Sequence, residues 1–422
     1  MGLTVLIESN NLCANNANKI KMKILLLFSF LVTKASAQEL VNEAFGGGAP
    51  GGLDAFGEIA RGFASAAGGF ADGVAESLSI VAQGALTSFA KFVPKVPVLA
   101  NIDNFDDFLF EAPLQDQTGQ AFSEADRTFR EGVFAASKNL VDAGNVAFAK
   151  GTSSFQLALN AFADLTREEF IKKMTGRRRS PESDAKIAAS RKMVNITDAL
   201  PVPDSFDWRQ KGGVTPVKNQ GSCGSCWAFA ITGAIEGHTF AAKGKLPNLS
   251  EQNLVDCGPQ QDFNLNGCNG GFQEAALCWL SETQMGISLT ESYPYAGRQK
   301  SCKFVPSTVG GHFSEFGVLS SGDEDQMKRV VANLGPVACS VSMPENLRFY
   351  KSGIYDDPTC NDYELLHSIL VVGYGSEHGL DYWIVKNSWD DSWGDSGYFR
   401  LLRGQNLCHI AAECSYPIVS HA

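Results

Sequence analysis

The residue types best suited to nucleophilic and proton-transfer chemistry lie in the second half of this 422-residue chain. Cys13 stands alone near the N-terminus, whereas the other ten of the eleven cysteines lie between Cys223 and Cys414. All six histidines lie at or after His238. Chemistry that uses a thiol or an imidazole is therefore confined to the second half, and the first half must serve another purpose.

Cys226 has the sequence context of a reactive thiol. It closes the segment QGSCGSC and is followed by WAFAITGAIEGHTF, which predicts a helix that begins near this cysteine. The positive end of a helix dipole stabilises a thiolate over a thiol and lowers the pKa of the side chain. Because the thiolate is the reactive species, Cys226 is predicted to be a nucleophile.

The spacing Cys223-x-x-Cys226 has two other interpretations. A redox pair would be expected after a βαβ pattern, which does not precede this segment. Half of a zinc site would need a second CxxC or an HxxxH pair downstream, and neither follows. The sequence supports both alternatives less well than it supports a nucleophilic cysteine. Neither a metal nor another cofactor is therefore expected.

The segment Cys223-Gly-Ser-Cys226-Trp227 resembles the active-site signature of papain and the cathepsins. From Pro203 to Val419 the chain resembles a papain-family cysteine protease of the cathepsin L-like branch. The resemblance implies an α+β fold with two lobes, in which a helical lobe carries the cysteine and a β-barrel-like lobe carries a histidine and an asparagine. Substrate is expected in the cleft between the lobes.

The resemblance also assigns roles to other residues of the site. His367 is implied as the general base, since it lies 141 residues after Cys226 in an apolar run and the other histidines lack such a context. Asn387, in the run WIVKNSW, matches the asparagine that orients this histidine. Gln220 is implied in the oxyanion hole, and Trp389 as a shield over the histidine–asparagine hydrogen bond. Cys226 would then attack a peptide carbonyl.

Substrate recognition is likewise implied by the resemblance. Gly270 and Gly271 match the stretch that binds an extended substrate backbone. The second specificity pocket is implied to be lined by Phe272, Gln273, Ser340, Leu365, Ser368 and Glu413. An acid at the floor of an otherwise apolar pocket would accept Arg as well as Phe or Leu. The alternative is that Glu413 points to solvent, because the cysteine that follows it is unusual.

The disulfides follow from the same resemblance. Family pairing implies the bridges Cys223–Cys268, Cys257–Cys302 and Cys360–Cys408, with Cys226 free. Three cysteines of this region then remain. Cys278 lies in an apolar helical run and Cys339 in a strand-like run, so both are predicted to be small buried apolar residues. Whether any two of Cys278, Cys339 and Cys414 pair stays open.

Residues 1–37 have the features of a signal region. The apolar run ILLLFSFLV is too short to span a bilayer, lysines precede it, and Ala35-Ser36-Ala37 provides a cleavage motif. A compact signal peptide would begin at Met22, which is predicted to be the functional start. The alternative is a signal anchor that stays embedded. Entry into the secretory pathway permits disulfides and makes Asn195 and Asn248 candidate glycosylation sites, with the lysosome or an extracellular or digestive lumen as the destination.

Residues 38–100 form a region rich in Gly, Ala and Phe. Phe56, Phe63 and Phe70 recur every seven residues, which is a helical period, but each interspersed glycine costs about 1 kcal/mol relative to alanine. A membrane-surface or partner-binding helix is one interpretation. A cleaved, poorly ordered spacer is preferred, because the polar face has too few basic residues for anionic lipid.

Residues 101–201 resemble an inhibitory prosegment. A set of residues spaced by four, with one gap near Ser137, indicates a helix and resembles the ERFNIN motif: Asp126, Arg130, Phe134, Val141 and Asn145. Ala158-x-Asn160-x-Phe162-x-Asp164 resembles the GNFD motif, and Thr166 with Glu169 predicts a helix start. Ser137 and Ala158 depart from the usual Asn and Gly. The charged stretch 177–200 is predicted to be an exposed, cleavable linker.

The sequence thus predicts a zymogen whose peptidase domain spans residues 202–422 and is blocked by its own prosegment, running backwards through the cleft. Cleavage within residues 177–202 at acidic pH would release an endopeptidase. A monomer acting on protein and peptide substrates, with cystatin-type inhibitors as partners, is implied. The net charge of −11 argues against nucleic acid. One alternative function is a non-enzymatic homologue, which is disfavoured because Cys, His and Asn are all present. The other is that residues 38–100 carry the function of the protein and that the protease domain does not.

Overall fold

The computed structural model describes residues 124–191 and 201–420. The predictions for residues 1–100, for the first part of the prosegment and for Asn195 lie outside the described residues. The first described region contains helix α1 (Glu124–Ala149), strand β1 (Phe155–Leu157), helix α2 (Arg167–Met174) and helix α3 (Pro181–Ser190). The helix predicted from the residues spaced by four is confirmed, since α1 contains all of them and buries Phe134 and Val141.

The start of helix α2 follows the predicted capping pattern. The backbone N–H of Glu169 donates to the Thr166 hydroxyl at 3.2 Å, and the N–H of Thr166 donates to the Glu169 carboxylate at 2.9 Å. The same carboxylate accepts from both terminal nitrogens of Arg130 on α1, at 2.5 and 2.6 Å. One acidic residue therefore satisfies the start of α2 and ties it to α1.

The prediction that residues 177–200 form an exposed linker is wrong for the part that contains α3. Ser180 caps this helix and Pro181 occupies its first turn, which are favourable helix-start residues. Ile187 is 3% exposed and belongs to the same buried core as residues of the predicted peptidase domain. A single buried aliphatic side chain produces no periodic pattern, so the sequence alone did not reveal a docked helix.

Residues 202–422, the predicted peptidase domain and below called the catalytic domain, begin with a helical part. Its helices are α4 (Cys226–Lys243), α5 (Glu251–Cys257), α6 (Gln273–Thr283) and α7 (Glu324–Asn333). Helix α4 is apolar around most of its circumference and is buried along most of its length. Six short 3-10 helices join the regular elements: Gly258–Gln260, Gly267–Asn269, Pro306–Thr308, Asn346–Phe349, Pro358–Asp362 and Leu407–His409.

The strands of this domain form one small sheet and, together with β1, one large sheet. They are β2 (Phe206–Asp207), β3 (Ile287–Ser288), β4 (Val309–Gly311), β5 (Glu315–Val318), β6 (Val337–Ser342), β7 (Tyr350–Tyr355), β8 (Leu365–Glu377), β9 (Leu380–Lys386), β10 (Tyr398–Leu402) and β11 (Cys414–Ile418). The large sheet has the order β1-β7-β10-β9-β8-β6-β11-β5, with β2 on β8, and β3 pairs with β4. Its pairs are antiparallel except β10 with β7. The predicted α+β fold is confirmed.

Strand β8 lies against helix α4, and a glycine allows this close approach. A Cβ atom on Gly233 would lie 2.6 Å from Cδ2 of Leu370 on β8. Such a contact is shorter than van der Waals packing permits, so a larger residue would push the strand away from the helix. The packing brings the first residues of β8 to the start of α4.

The described residues contain four disulfides. Three are the pairs that the resemblance implies, Cys223–Cys268, Cys257–Cys302 and Cys360–Cys408. The fourth joins Cys339 to Cys414, a pairing that the sequence left open, and Cys339 is buried as predicted. The register of β6 with β11 places these two cysteines directly opposite each other. Cys226 and Cys278 are the free cysteines of the described region, and both are buried.

Candidate active site

Cys226 is the first residue of helix α4 and is completely buried. Its Sγ accepts a hydrogen bond from the backbone N–H of Ser368 on strand β8 at 3.4 Å. Ser368 directly follows His367 in the chain. The predicted nucleophile, on the helical lobe, therefore meets the strand that carries the predicted base.

His367 is held by Asn387. Nε2 of the imidazole lies 2.8 Å from Oδ1 of Asn387, and this oxygen also accepts from the backbone N–H of Ser388 at 2.8 Å. Because that second bond fixes Oδ1 as an acceptor, Nε2 must carry the proton, which leaves the lone pair on Nδ1. Within the described residues Nδ1 of His367 is buried without a hydrogen-bond partner.

Trp389 covers the His367 ring. The two rings stack with centroids 4.6 Å apart and an interplanar angle of 29°. On the prosegment side, Phe162 and Phe170 meet Trp389 edge to face at 5.6 and 5.2 Å. The next residue, Asp390, adopts a left-handed conformation with φ of 74°. Trp389 thus both shields the imidazole and anchors the prosegment.

Gln220 is buried and directed at the prosegment. Its Oε1 accepts from the Ser388 hydroxyl at 2.6 Å, which orients the amide. Its Nε2 donates to the carbonyl of Met174 at 3.1 Å and to that of Cys223 at 2.9 Å. Nε1 of Trp389 donates to the same Met174 carbonyl at 3.1 Å. A prosegment carbonyl therefore binds the Gln220 donor of the predicted oxyanion hole.

The chain after Met174 runs along the predicted substrate-binding stretch. The N–H of Gly271 donates to the carbonyl of Gly176 at 2.8 Å, and the N–H of Arg178 donates to the carbonyl of Gly271 at 2.6 Å. This forms a parallel bridge between Arg177 and Gly271. At Gly270, which has φ of 112°, a Cβ would lie 2.7 Å from the Gly176 carbonyl, so only glycine fits this approach.

The carboxylate of Glu413 binds prosegment arginines. Nε of Arg177 donates to Oε2 at 3.0 Å, the Arg177 Nη2 atom contacts Oε1, and Nη1 of Arg179 lies 2.8 Å from Oε1. Both guanidinium groups lie over the ring of Phe272, at 5.4 and 5.5 Å from its centroid. The Glu413 side chain is 10% exposed in this precursor, where the two arginines cover it.

The remaining predicted pocket residues form a linked polar wall. Nε2 of Gln273 donates to the Ser340 hydroxyl at 2.9 Å, and the Ser368 hydroxyl donates to Oε1 of Gln273 at 3.0 Å. Leu365 contributes its carbonyl, which lies 3.5 Å from a nitrogen of Arg177. Arg177 thus contacts three of the six predicted pocket residues, Glu413, Phe272 and Leu365. The other three are linked to one another, and Gln273 also donates to the Glu413 carbonyl at 3.3 Å.

Four residues near the site were not singled out from the sequence. Met174, Arg177 and Arg179 belong to the prosegment, and a run of arginines paired with an acid at a pocket floor could have signalled their contact with Glu413. Glu274 is the fourth. Burial, together with the negative charge of Glu413, raises the pKa of Glu274 to about 7. No sequence signal identified it, because its burial depends on tertiary packing.

The ionisation of Cys226 differs from the sequence-based expectation. Burial raises the pKa of this thiol to about 11, although the N–H of Ser368 works in the opposite direction. Burial also lowers the pKa of His367 to about 4, against the effect of the Asn387 hydrogen bond. Burial in this precursor thus favours the neutral forms of both the thiol and the imidazole.

The described residues 124–191 and 201–420 contain no cluster of three or more His, Cys, Asp or Glu side chains that could hold a metal ion.

Two protein families match the sequence. Residues 202–418 match the papain family of cysteine proteases, and residues 115–170 match the cathepsin propeptide inhibitor domain (I29). Cathepsin L of Sarcophaga peregrina is 42% identical over 304 residues, covering 70% of this chain and 88% of the relative. Cathepsin L1 of Drosophila melanogaster is 43% identical over 303 residues, covering 70% and 81%.

Solved structures of precursors are also similar. The digestive procathepsin L2 proteinase from the larval midgut of Tenebrio molitor matches with a TM-score of 0.68 at 34% identity, covering 75% of this chain and 99% of that chain. The chain belongs to the papain family of cysteine proteases. It is a cathepsin L-like protease that carries its inhibitory propeptide, and is thus a zymogen.

Proposed function

We propose that the protein is an endopeptidase in which Cys226, His367, Asn387 and Gln220 catalyse the reaction. The thiolate of Cys226 attacks the peptide carbonyl, and the Gln220 side chain with the Cys226 backbone N–H stabilises the oxyanion. His367 protonates the leaving amine. A water molecule, activated by His367, then hydrolyses the thioester and releases the second product.

One observation carries this proposal: Nε2 of His367 lies 2.8 Å from Oδ1 of Asn387. The residue after His367 on the same strand, Ser368, donates its backbone N–H to the sulfur of Cys226. It leaves an unprotonated nitrogen on the imidazole, as a base requires. Departure of the prosegment would restore water to the site. The desolvation that holds the thiol and imidazole neutral would then fall, which favours transfer of the proton from Cys226 to His367.

We further propose that the second specificity pocket accepts either an apolar side chain or Arg. The contact of Arg177 with Glu413 and Phe272 supports this proposal, because it places a guanidinium against both the carboxylate and the ring. In this proposal, Gly270 and Gly271 bind the substrate backbone, in the direction opposite to that of the prosegment.

The proposed precursor has four regions: a signal region 1–37 with its start at Met22, an extension 38–100, a prosegment 101–201 and a peptidase domain 202–422. The proposed route is secretory, to a lysosome or a digestive lumen, as the names of the relatives suggest. Asn195 and Asn248 are proposed glycosylation sites, and Asn248 is exposed. Cystatin-type proteins are proposed as inhibitors of a monomeric enzyme.

The proposal is tested by hydrolysis of fluorogenic Phe-Arg and Arg-Arg peptides by the acid-processed protein. Both activities should disappear on treatment with a thiol-directed epoxide and in Cys226→Ser. Cys278→Ser is the matched control, because Cys278 is the other free thiol of the described region, and it should retain activity. Activity that survives in Cys226→Ser would refute the assignment of the nucleophile.

A further inference from the structure

Helix α3 binds the catalytic domain at a surface outside the cleft. Ile187 packs into the core that includes helix α6. Nζ of Lys186 lies 2.8 Å from a carboxylate oxygen of Asp262 and 4.5 Å from the centroid of the Phe263 ring. The Ser190 hydroxyl donates to the Glu282 carboxylate at 2.6 Å. An apolar contact and polar contacts along the helix thus hold α3 in place.

Helix α3 is a separate structural unit from the extended segment 174–179 that lies in the cleft, which is called the strand in the cleft below. It lies beyond residues 115–170, which match the propeptide inhibitor family. It has its own cap, since the Ser180 hydroxyl accepts from the N–H of Ser183 at 3.2 Å. Arg179 connects the two units through Asp184 and Glu413, but its side chain is 43% exposed, so these ion pairs contribute little.

Cys278 lies on the face of α6 that α3 covers. Glu282, one helical turn further along α6, contacts Ser190 and therefore marks this face. The thiol of Cys278 lies 3.5 Å from the Glu282 carboxylate and within hydrogen-bonding reach of Ser190, and the residue is completely buried. The state of this thiol consequently reports whether α3 is in place.

We propose that the surface formed by Asp262, Phe263, Cys278 and Glu282, termed the α6 site, is a second binding site for the prosegment. Its occupant is the segment 181–190, which binds independently of the strand in the cleft. A cut within Arg177–Arg179 separates this helix from the segment in the cleft but leaves the helix tethered to the catalytic domain through residues 191–201. The tether gives the helix an effective concentration of order millimolar, so it stays bound and Cys278 stays covered until a second cut.

The proposal is tested with short iodoacetamide pulses on the intact full-length chain at neutral pH, with each labelled cysteine quantified by peptide mass spectrometry. Ile187→Asp places a charge in the apolar contact and should raise the labelling rate of Cys278 by at least about tenfold. Ala188→Asp adds the same charge at the neighbouring, exposed position and should change the rate by less than about twofold. The labelling rate of a cysteine does not require turnover of a substrate, so the result is independent of the proposed catalytic roles.

Labelling of Cys226 in the same samples supplies the test of independence. In Ile187→Asp it should stay at the wild-type rate, which also shows that the chain is folded. In Arg177→Ala, which removes the contact with Glu413, Cys226 should react faster while Cys278 stays protected. If both cysteines rise together in either variant, the two segments form one cooperative unit and the proposal is overturned. Rapid labelling of Cys278 in the wild-type zymogen would also overturn it.

Discussion

The guanidinium group of Arg177 forms a two-contact ion pair with the carboxylate of Glu413 at the floor of the proposed specificity pocket. The Arg177 side chain is 16% exposed and that of Glu413 is 10% exposed, so the pair is largely shielded from solvent. A bidentate contact of this kind is stronger than a surface salt bridge. The prosegment therefore blocks the pocket with a side chain of the type that the pocket is proposed to select.

Glu413→Ala should selectively impair cleavage of substrates with Arg at the second position. Loss of the charge-assisted hydrogen bonds should lower kcat/KM for Arg-Arg peptides by about 10²-fold, or roughly 3 kcal/mol, while Phe-Arg peptides change by less than about threefold. Steady-state kinetics of the processed enzyme measures both. Glu413→Gln is the matched control, since it keeps the volume and removes the charge. An equal loss on the two substrates would reject the assignment.

The thiol of Cys226 should react slowly in the intact precursor and with a steep dependence on pH. Because its pKa is raised to about 11, the thiolate fraction at neutral pH is about 10⁻⁴ and grows about tenfold per pH unit. Iodoacetamide labelling of Cys226 between pH 6 and 9 measures this slope. After acid processing the slope should flatten and the rate rise.

The urea-unfolded chain provides the reference for this experiment, because its thiols have an ordinary pKa near 8.5. Full reactivity of Cys226 in the folded precursor at neutral pH would contradict the idea that the prosegment holds the site neutral.

Glu169→Gln should destabilise the prosegment at neutral pH but not at strongly acidic pH. The hydrogen bonds from Arg130 lower the pKa of Glu169 from 4.5 to about 2. A lowered carboxyl pKa stabilises the folded state above the unfolded value, and this contribution is lost as pH falls from about 4.5 towards 2. Allowing for partial exposure, the expected loss at pH 7 is about 2 kcal/mol.

Urea unfolding of the inactive Cys226→Ser chain at several pH values measures this difference. Glu131→Gln is the control, because it breaks a pair with the 47% exposed Arg127 and should change stability by less than about 0.5 kcal/mol. A difference for Glu169→Gln that did not vary with pH would contradict the expectation.

The directions of the pKa shifts of the prosegment carboxyl groups determine whether acid weakens the binding of the prosegment. The pKa of Asp164 is raised by burial, so its protonation favours the folded state. Neither Asp164 nor Glu169 therefore promotes release in mild acid.

Removal of the Cys339–Cys414 disulfide should reduce both stability and the preference for Arg. The bridge closes a separation of 75 residues, and its loss should cost about 3 to 4 kcal/mol. It also joins the residues adjacent to Ser340 and Glu413, so Cys339→Ala/Cys414→Ala should lower the Arg-Arg to Phe-Arg ratio of kcat/KM. Urea unfolding and kinetics measure the two effects.

The matched control is Cys257→Ala/Cys302→Ala, which removes a bridge with a separation of 45 residues that involves no predicted pocket residue. It should lose stability without a change in the substrate ratio. An equal change in the ratio for both double variants would show that the effect on the pocket is indirect.

Features that depend on local sequence were predictable, whereas those that depend on tertiary packing were not. The long helix α1 and the capping pair of Thr166 and Glu169 follow from spacing alone. The pairing of Cys339 with Cys414 depends on the register of two strands distant in sequence. The raised pKa of the Cys226 thiol depends on its burial by tertiary packing, and no sequence motif contains that information.

Strand β1 lies at one end of the large sheet, where Phe155 and Gln156 pair with Gly353 and Ser352 of β7. When the prosegment departs, these backbone donors and acceptors lose their partners and β7 becomes the outermost strand. An outermost strand with unpaired backbone groups can pair with the extended chain of another molecule, which leads to aggregation. An outward lysine at position 351 and the left-handed Gly353 discourage a foreign strand from continuing the ladder, so the mature enzyme carries its own protection against this hazard.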